Sequence, residues 1–171
     1  MATKFVTGRV RFSFAFFNKS RTNDRGEEKF SGTILVPKSD KATYDAFRTS
    51  EAEAARKKFP GKPDAFYSAI KSVLHDGDGL RPTGEPFGPE CKGHWVFTAS
   101  TSDRPGIVDE NAQPLLEPIK SGDYGRVSIN MYGFDTAGNR GVAAGLNNVQ
   151  LLERGESLGG RTDAATDFAE F

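Results

Sequence analysis

The run "VTGRVRFSFAFFNKS", Val6 to Ser20, constrains the fold more than any other stretch of the chain. Apolar and polar side chains alternate along it with a period of two, which an extended chain sorts onto two faces and a helix cannot. Val6, Gly8, Val10, Phe12, Phe14 and Phe16 fall on one face; Arg9, Arg11, Ser13, Ala15, Phe17 and Lys19 fall on the other. Leaving three phenylalanines in water would forgo several kcal/mol of burial. The expected arrangement is therefore a strand with Phe12, Phe14 and Phe16 in a core and a water-facing side carrying cations and the single ring of Phe17.

The rest of the chain repeats this pattern. "KFSGTILVP" alternates Phe30, Gly32, Ile34 and Val36 against Ser31, Thr33 and Leu35, and Pro37 ends it. It pairs with the first strand as a hairpin through the polar loop Asn18 to Glu28, which carries Lys19, Arg21 and Arg25. Ser39 or Asp40 caps a helix running to about Lys58, and "FPGKP" breaks it. A second helix starts at Pro63 and Asp64 and, on the spacing of Phe66, Ile70, Val73 and Leu74, runs to near His75. Asp76 to Gly93 is a long Gly- and Pro-rich loop, a kind that is usually functional or mobile. "GHWVFTAST", "DYGRVSINMYGFD" and "VAAGLNNVQLLERG" supply three more strands, the last two joined by the turn "TAGNRG". The 19 Gly and 9 Pro scattered among 171 residues fit many strands and turns in one domain. The expectation is a mainly β fold, a five-stranded and partly open barrel with two helices inserted after the second strand.

Several function classes find no support. "CKGH" sets Cys91 and His94 at a pair spacing, but a structural zinc needs four ligands and the other histidine is His75. "DGDG", Asp76 to Gly79, resembles the start of a calcium loop, yet its twelfth position is Phe87 rather than a carboxylate. No phosphate-cradling loop, dinucleotide fingerprint or nucleophile elbow occurs, so neither enzyme, metal nor cofactor is expected. No run reaches the roughly 18 apolar residues of a membrane span, and "MATKFVTGRV" lacks the apolar centre of a signal peptide. A single cysteine forms no internal disulfide, which fits a cytosolic protein.

A binding function fits the residues better. Arg9, Arg11 and Phe17 on one strand, and Tyr124, Arg126, Asn130 and Tyr132 on another, turn cations and rings away from the core. Unpaired nucleic acid needs this combination: cations neutralise phosphates and flat rings stack on bases that have no partner. Lys19, Arg21 and Arg25 add phosphate contacts, and Trp95 is either a core residue or a stacking platform. The blander reading has Tyr124 and Tyr132 covering a barrel end and Arg126 pairing with an acid in solvent.

The zero net charge conceals an asymmetry. Thr162 to Phe171 holds Asp163, Asp167 and Glu170 with no Lys or Arg, which leaves 23 basic side chains against 20 acidic ones in the body. Residues 156–171 read as a flexible acidic tail appended to a folded unit over 1–155. Its carboxylates resemble phosphates, and Phe168 and Phe171 resemble bases, so beside a basic groove it has a competitor's chemistry.

Taken in order, "TGRVRFSF", "LVPKSD", "HDGD", "KGHWVFTAS", "RPGIVD", "GDYGRVSINMYGFD", "NRGVAAGLNNVQLL", "GESLGG" and the closing "DFAEF" resemble the bacteriophage single-stranded-DNA-binding proteins long classed as a domain of unknown function. The resemblance implies an oligonucleotide/oligosaccharide-binding (OB) fold, a Greek-key barrel that coats single-stranded DNA during phage replication or recombination in the host cytoplasm. It implies no catalytic residue. It also implies that the acidic, aromatic-ended tail contacts a phage polymerase, helicase or recombinase, here through Asp163, Asp167, Glu170 and Phe171. Two helices after the second strand depart from the plainest barrel order, and a homodimer is compatible with the sequence. The rival reading is a phage structural or decoration subunit, or another protein-interaction module, that binds no nucleic acid.

Overall fold

A computed structural model describes residues 3–22, 26–81, 84–136 and 139–156. Its strands are β1 (Lys4–Val6), β2 (Val10–Thr22), β3 (Glu28–Pro37), β4 (His75–Asp76), β5 (His94–Thr101), β6 (Gly106–Val108), β7 (Tyr124–Thr136) and β8 (Asn139–Glu153). Between β3 and β4 lie the helices α1 (Lys41–Lys58) and α2 (Asp64–Ala69). The fold is mainly β with few helices.

Strand pairing runs from β7 to β2, β3, β5 and β8 and back to β7, so five strands close on themselves. Phe12, Ile34 and Phe97 lie opposite one another across β2, β3 and β5, and all three are buried. They share the interior with Val127, Ile129 and Met131 of β7 and with Val142, Ala144 and Leu146 of β8. Two seams are short: β2 meets β7 only at Val10 with Gly125 and Arg11 with Tyr124, and β5 meets β8 in a parallel contact confined to Ala99 with Ala144 and Ser100 with Gly145.

The chain after α2 fills the gap that the short β5–β8 seam leaves. Lys71 bridges to Gly141, its N–H donating to the Arg140 carbonyl at 3.1 Å while its own carbonyl accepts from Val142 N–H at 3.1 Å. Four residues on, His75 pairs with Val96 of β5. The second helix expected to reach His75 therefore stops at Ala69. Ile70, Val73 and Leu74 are apolar because they pack on the barrel core, not because they line a helix.

α1 agrees with the sequence reading. Asp40 caps it, its Oδ1 accepting from Thr43 N–H at 3.1 Å, and Arg56, Lys57 and Lys58 occupy the last turn, where the helix dipole favours cations. Phe47 on its buried side meets Phe5 and Phe97, with ring centres 5.9 Å and 5.0 Å away, so the helix plugs one end of the barrel.

The first extended run departs from strict alternation at three places, the last of them a further slip against β3 between Phe16 and Arg21. Val6 is exposed, and Phe5 and Thr7 are buried instead, because Lys4–Val6 is a separate short strand on the edge of β7. In β2 the pairing with β3 slips between Ser13 and Phe16. Phe14 sits there at φ 47°, a left-handed conformation that a bulky side chain adopts only under constraint, and Ala15 N–H turns to Ser121 Oγ at 3.1 Å. The bulge inverts the parity of the strand beyond it. Phe17, expected to face water, is fully buried edge-on to Phe12 at 5.1 Å; Phe14, expected in the core, is 54% exposed; Phe16 is half-buried.

Gly32 makes the inversion possible. A Cβ there would lie 2.3 Å from two carbons of the Phe17 ring, so the ring occupies the place of a side chain on β3. Truncating Phe17 to Ala is expected to cost about 3–5 kcal/mol of stability, whereas Phe14→Ala is expected to change it by about 0.5 kcal/mol or less. Urea unfolding of the two variants measures the difference; equal losses would contradict the bulge.

Candidate nucleic-acid interface

The bulge shapes the outer surface as well as the core. Ser13, Thr33 and Thr98 lie side by side across β2, β3 and β5 on the face opposite Phe12, Ile34 and Phe97. Phe16, Ser31 and Ser100 form the next row, and Arg21 beside Lys29 continues it. The Arg21 guanidinium lies 5.1 Å from the centre of the Phe16 ring. This face is hydroxyl-rich, with rings and cations toward one end.

A groove of about 500 Å³ opens over it. Ser13, Thr33 and Thr98 form the floor, residues between Lys71 and Arg81 together with Phe87, Glu90 and Cys91 form one wall, and Phe134 of β7 forms part of the other. Among the described residues four phenylalanines line it: Phe97, which is buried, and Phe14, Phe87 and Phe134. Arg81 sits 4.9 Å from the centre of the Phe87 ring, and the His75 ring is 6.1 Å from it. Lys71 and Arg81 bring positive charge, and among the described residues Glu90 is the single carboxylate in the lining.

The wall is tied down by Lys38. Its ammonium donates to Asp76 at 2.6 Å and to Asp78 at 2.8 Å, while Asp78 Oδ1 accepts from Gly93 N–H at 3.0 Å. The "DGDG" carboxylates are thus committed to a lysine. Hydrogen bonding to Lys38 is the chief cause that holds both carboxyls below their ordinary pKa, and the same bonds raise that of the lysine. Cys91, half of the "CKGH" pair, is buried against Leu35 and Val96; burial raises its thiol pKa. His94 Nδ1 pairs with the Lys92 carbonyl at 2.7 Å.

The side chains singled out from the sequence fall into separate neighbourhoods. Arg9 and Arg11 both lie over the Tyr124 ring, 4.7 Å and 5.2 Å from its centre, and Arg9 pairs with Glu153. Arg11 also donates to the Gly122 carbonyl at 3.1 Å and to the Glu156 carbonyl at 3.0 Å. Arg126, Asn130 and Tyr132 follow Tyr124 along one side of β7. Arg126 is exposed and donates to the Thr7 carbonyl at 2.8 Å; Asn130 accepts from Thr3 Oγ1 at 3.2 Å. Lys19 and Arg21 are exposed on the distal half of β2.

Two expected stacking rings are engaged elsewhere. Phe17 is in the core, so it leaves the set. Trp95 faces the helix side of β5, stacked on Tyr44 of α1 at 4.9 Å with the Lys38 ammonium 4.9 Å from its centre, on the opposite face from Thr98. Arg25 and the tail residues Asp163, Asp167, Phe168, Glu170 and Phe171 lie outside the described residues.

Sequence reasoning missed Phe14, Phe87, Phe134, Lys71 and Arg81. Phe134 was within reach, since it comes two residues after Tyr132 on the same side of β7. Phe87 lies in the long Gly- and Pro-rich loop whose length alone marks it as functional or mobile. Phe14 carries no local signal, because parity fails at a bulge.

With this geometry in place, the relatives are informative. The chain matches the family model of the Enterobacter phage Enc34 single-stranded-DNA-binding protein over residues 3–171 and belongs to that family. The resemblance read from the ordered motifs is thereby borne out. Protein p50 of Acyrthosiphon pisum secondary endosymbiont phage 1 is 27% identical over 168 residues, 92% of this chain and 87% of that protein. Among solved structures, the Enc34 single-stranded-DNA-binding protein in complex with single-stranded DNA superposes with a TM-score of 0.76 at 24% identity, over 92% of this chain and 90% of that one. The single-stranded-DNA-binding protein gp2.5 of bacteriophage T7 superposes at 0.57 and 17%, over 97% and 94%. These two likenesses are of fold.

The Lys38 clamp sets a pH test. Because Asp76 and Asp78 titrate below their unfolded values, the stability they confer is complete above the ordinary carboxylate range and is lost as pH falls through their lowered folded values. The gap in melting temperature between the wild type and Lys38→Met is expected to be widest near pH 7 and to shrink below about pH 4. A gap independent of pH would contradict the clamp.

Proposed function

We propose that this chain is an OB-type barrel that binds single-stranded DNA without sequence preference, in phage DNA replication or recombination in the host cytoplasm. One observation carries the reading: a ring-lined, cation-flanked groove lies over a hydroxyl-rich strand face, and one of its rings is held out of the core at a constrained backbone position. Rings that are exposed but fixed stack on any base, because every base has a π face. Hydroxyls on the floor bond to phosphate or sugar without reading sequence. Strain of this kind is found where surrounding structure enforces it, typically at a binding site. The strand order β2-β3-β5-β8-β7, closed on itself with a helix plugging one end, supports the OB reading.

In this reading Phe14, Phe87 and Phe134 take bases, while Lys71, Arg81, Arg21 and Lys19 take phosphates. Arg9, Arg11, Tyr124 and Arg126 form a second cationic area, where Glu153 and backbone carbonyls already compete for the guanidinium groups. The tail, through Asp163, Asp167, Phe168, Glu170 and Phe171, competes with DNA for basic surface and contacts replication proteins. Both roles rest on its charge and on its departure beside Arg11, which holds the Glu156 carbonyl.

Oligo-dT affinity is expected to fall steeply with salt, as neutralised phosphates release counterions. Phe14→Ala, Phe87→Ala and Phe134→Ala should each weaken it by about 1–3 kcal/mol, and Arg81→Ala should reduce the salt slope by about one. Fluorescence titration measures both quantities. Full affinity in all three phenylalanine variants would refute the groove. Truncation after Gly160 is expected to tighten binding at low salt; equal affinities would exclude self-competition.

A further inference from the structure

Phe134 is not the end of the ring-bearing surface. Tyr132 stands two residues earlier on the same side of β7, about 7 Å away along the strand. It is 46% exposed, and it borders a second depression of about 340 Å³ shared with Asn130, Thr3, Lys57 and Lys58. On β8 the residues opposite Phe134, Tyr132 and Asn130 are Gly141, Ala143 and Gly145, so no bulky side chain rises from that strand beside the two rings. A Cβ on Gly145 would be only 3.5 Å from the Tyr132 ring, which shows the ring lying over that strip.

The cations beside Tyr132 are placed by packing. A Cβ on Gly133 would fall 2.5 Å from Cβ of Lys58, so the helix end rests directly on β7 because residue 133 has no side chain. Lys57 and Lys58 are exposed, and among the described residues no carboxylate pairs with either. Two unneutralised ammonium groups beside an accessible ring, reached from the groove past Phe134, have the chemistry for a further nucleotide and its phosphates.

We infer that Tyr132, Lys57 and Lys58 form a second nucleic-acid subsite that takes the strand as it leaves the groove over Phe134. This rests on the proposal that the groove holds single-stranded DNA. It assigns the C-terminal end of α1, a helix otherwise explained as a core plug, to the DNA path. It also makes the length of strand held by one protein depend on that helix end.

Oligonucleotide length separates the two ideas. Oligo-dT of about 6 nucleotides fits the groove alone, and one of about 16 extends past Phe134. The wild type should bind the longer oligonucleotide at least about tenfold more tightly. In Lys57→Ala/Lys58→Ala and in Tyr132→Ala, the short oligonucleotide should bind as in the wild type while most of that gain disappears. If the short one binds normally and the gain persists in both variants, the subsite is refuted and the groove stands. If short and long weaken equally, these residues serve the groove itself and no separate subsite exists. If the wild type binds neither in a salt-dependent way, the groove reading fails first.

Discussion

The bulge at Ser13 to Phe16 is the constraint on which the rest of the structure depends. A two-residue period puts every second side chain of β2 inside, and unbroken it would bury Phe14 and Phe16 and expel Phe17. The slip reverses that choice midway along the strand, and three features share in it. Gly32 leaves room for the Phe17 ring, Ser121 takes the N–H of Ala15, and Phe14 accepts a positive φ. One ring enters the core and another is delivered to the surface. Core packing and groove therefore arise from a single irregularity.

The range of the forces involved decides how much of the chain was legible in advance. α1 was legible almost to the residue, because its cap at Asp40 and its break at Pro60 are local. The β7 to β8 hairpin was legible because its alternation runs unbroken across Val127, Ile129 and Met131. α2 was overextended because Ile70, Val73 and Leu74 have helical spacing, whereas a distant strand, β8, captures Lys71 and pulls the chain straight. Trp95 remained open between core and surface because both faces of its strand are partly apolar; Tyr44 on α1 decides it. The groove was the least legible part. Phe14, Phe87 and Phe134 come from three distant segments, and no local pattern links them.

The neutral net charge is no obstacle to an anionic ligand, since what counts is where charge lies. Several carboxylates of the folded body are engaged in building it. Asp76 and Asp78 hold Lys38, Glu51 pairs with Arg48, and the buried Asp123 takes Arg154 at 2.9 Å together with the N–H of Gly155. Lys71 and Arg81 in the groove, and Lys57 and Lys58 beyond it, carry no such ion pair among the described residues. Lys71 and Arg81 share the groove with Phe14, Phe87 and Phe134, and Lys57 and Lys58 share the next depression with Tyr132, whereas Arg9 and Arg11 sit where Glu153 and backbone carbonyls already engage them.

The most direct measurement is photo-cross-linking of an iodouridine-substituted oligonucleotide to the full chain, with the adducts mapped by mass spectrometry. The account predicts adducts at Phe14, Phe87 and Phe134. Adducts confined to Tyr124 and the neighbouring Arg9 and Arg11, with none in the groove, would contradict it.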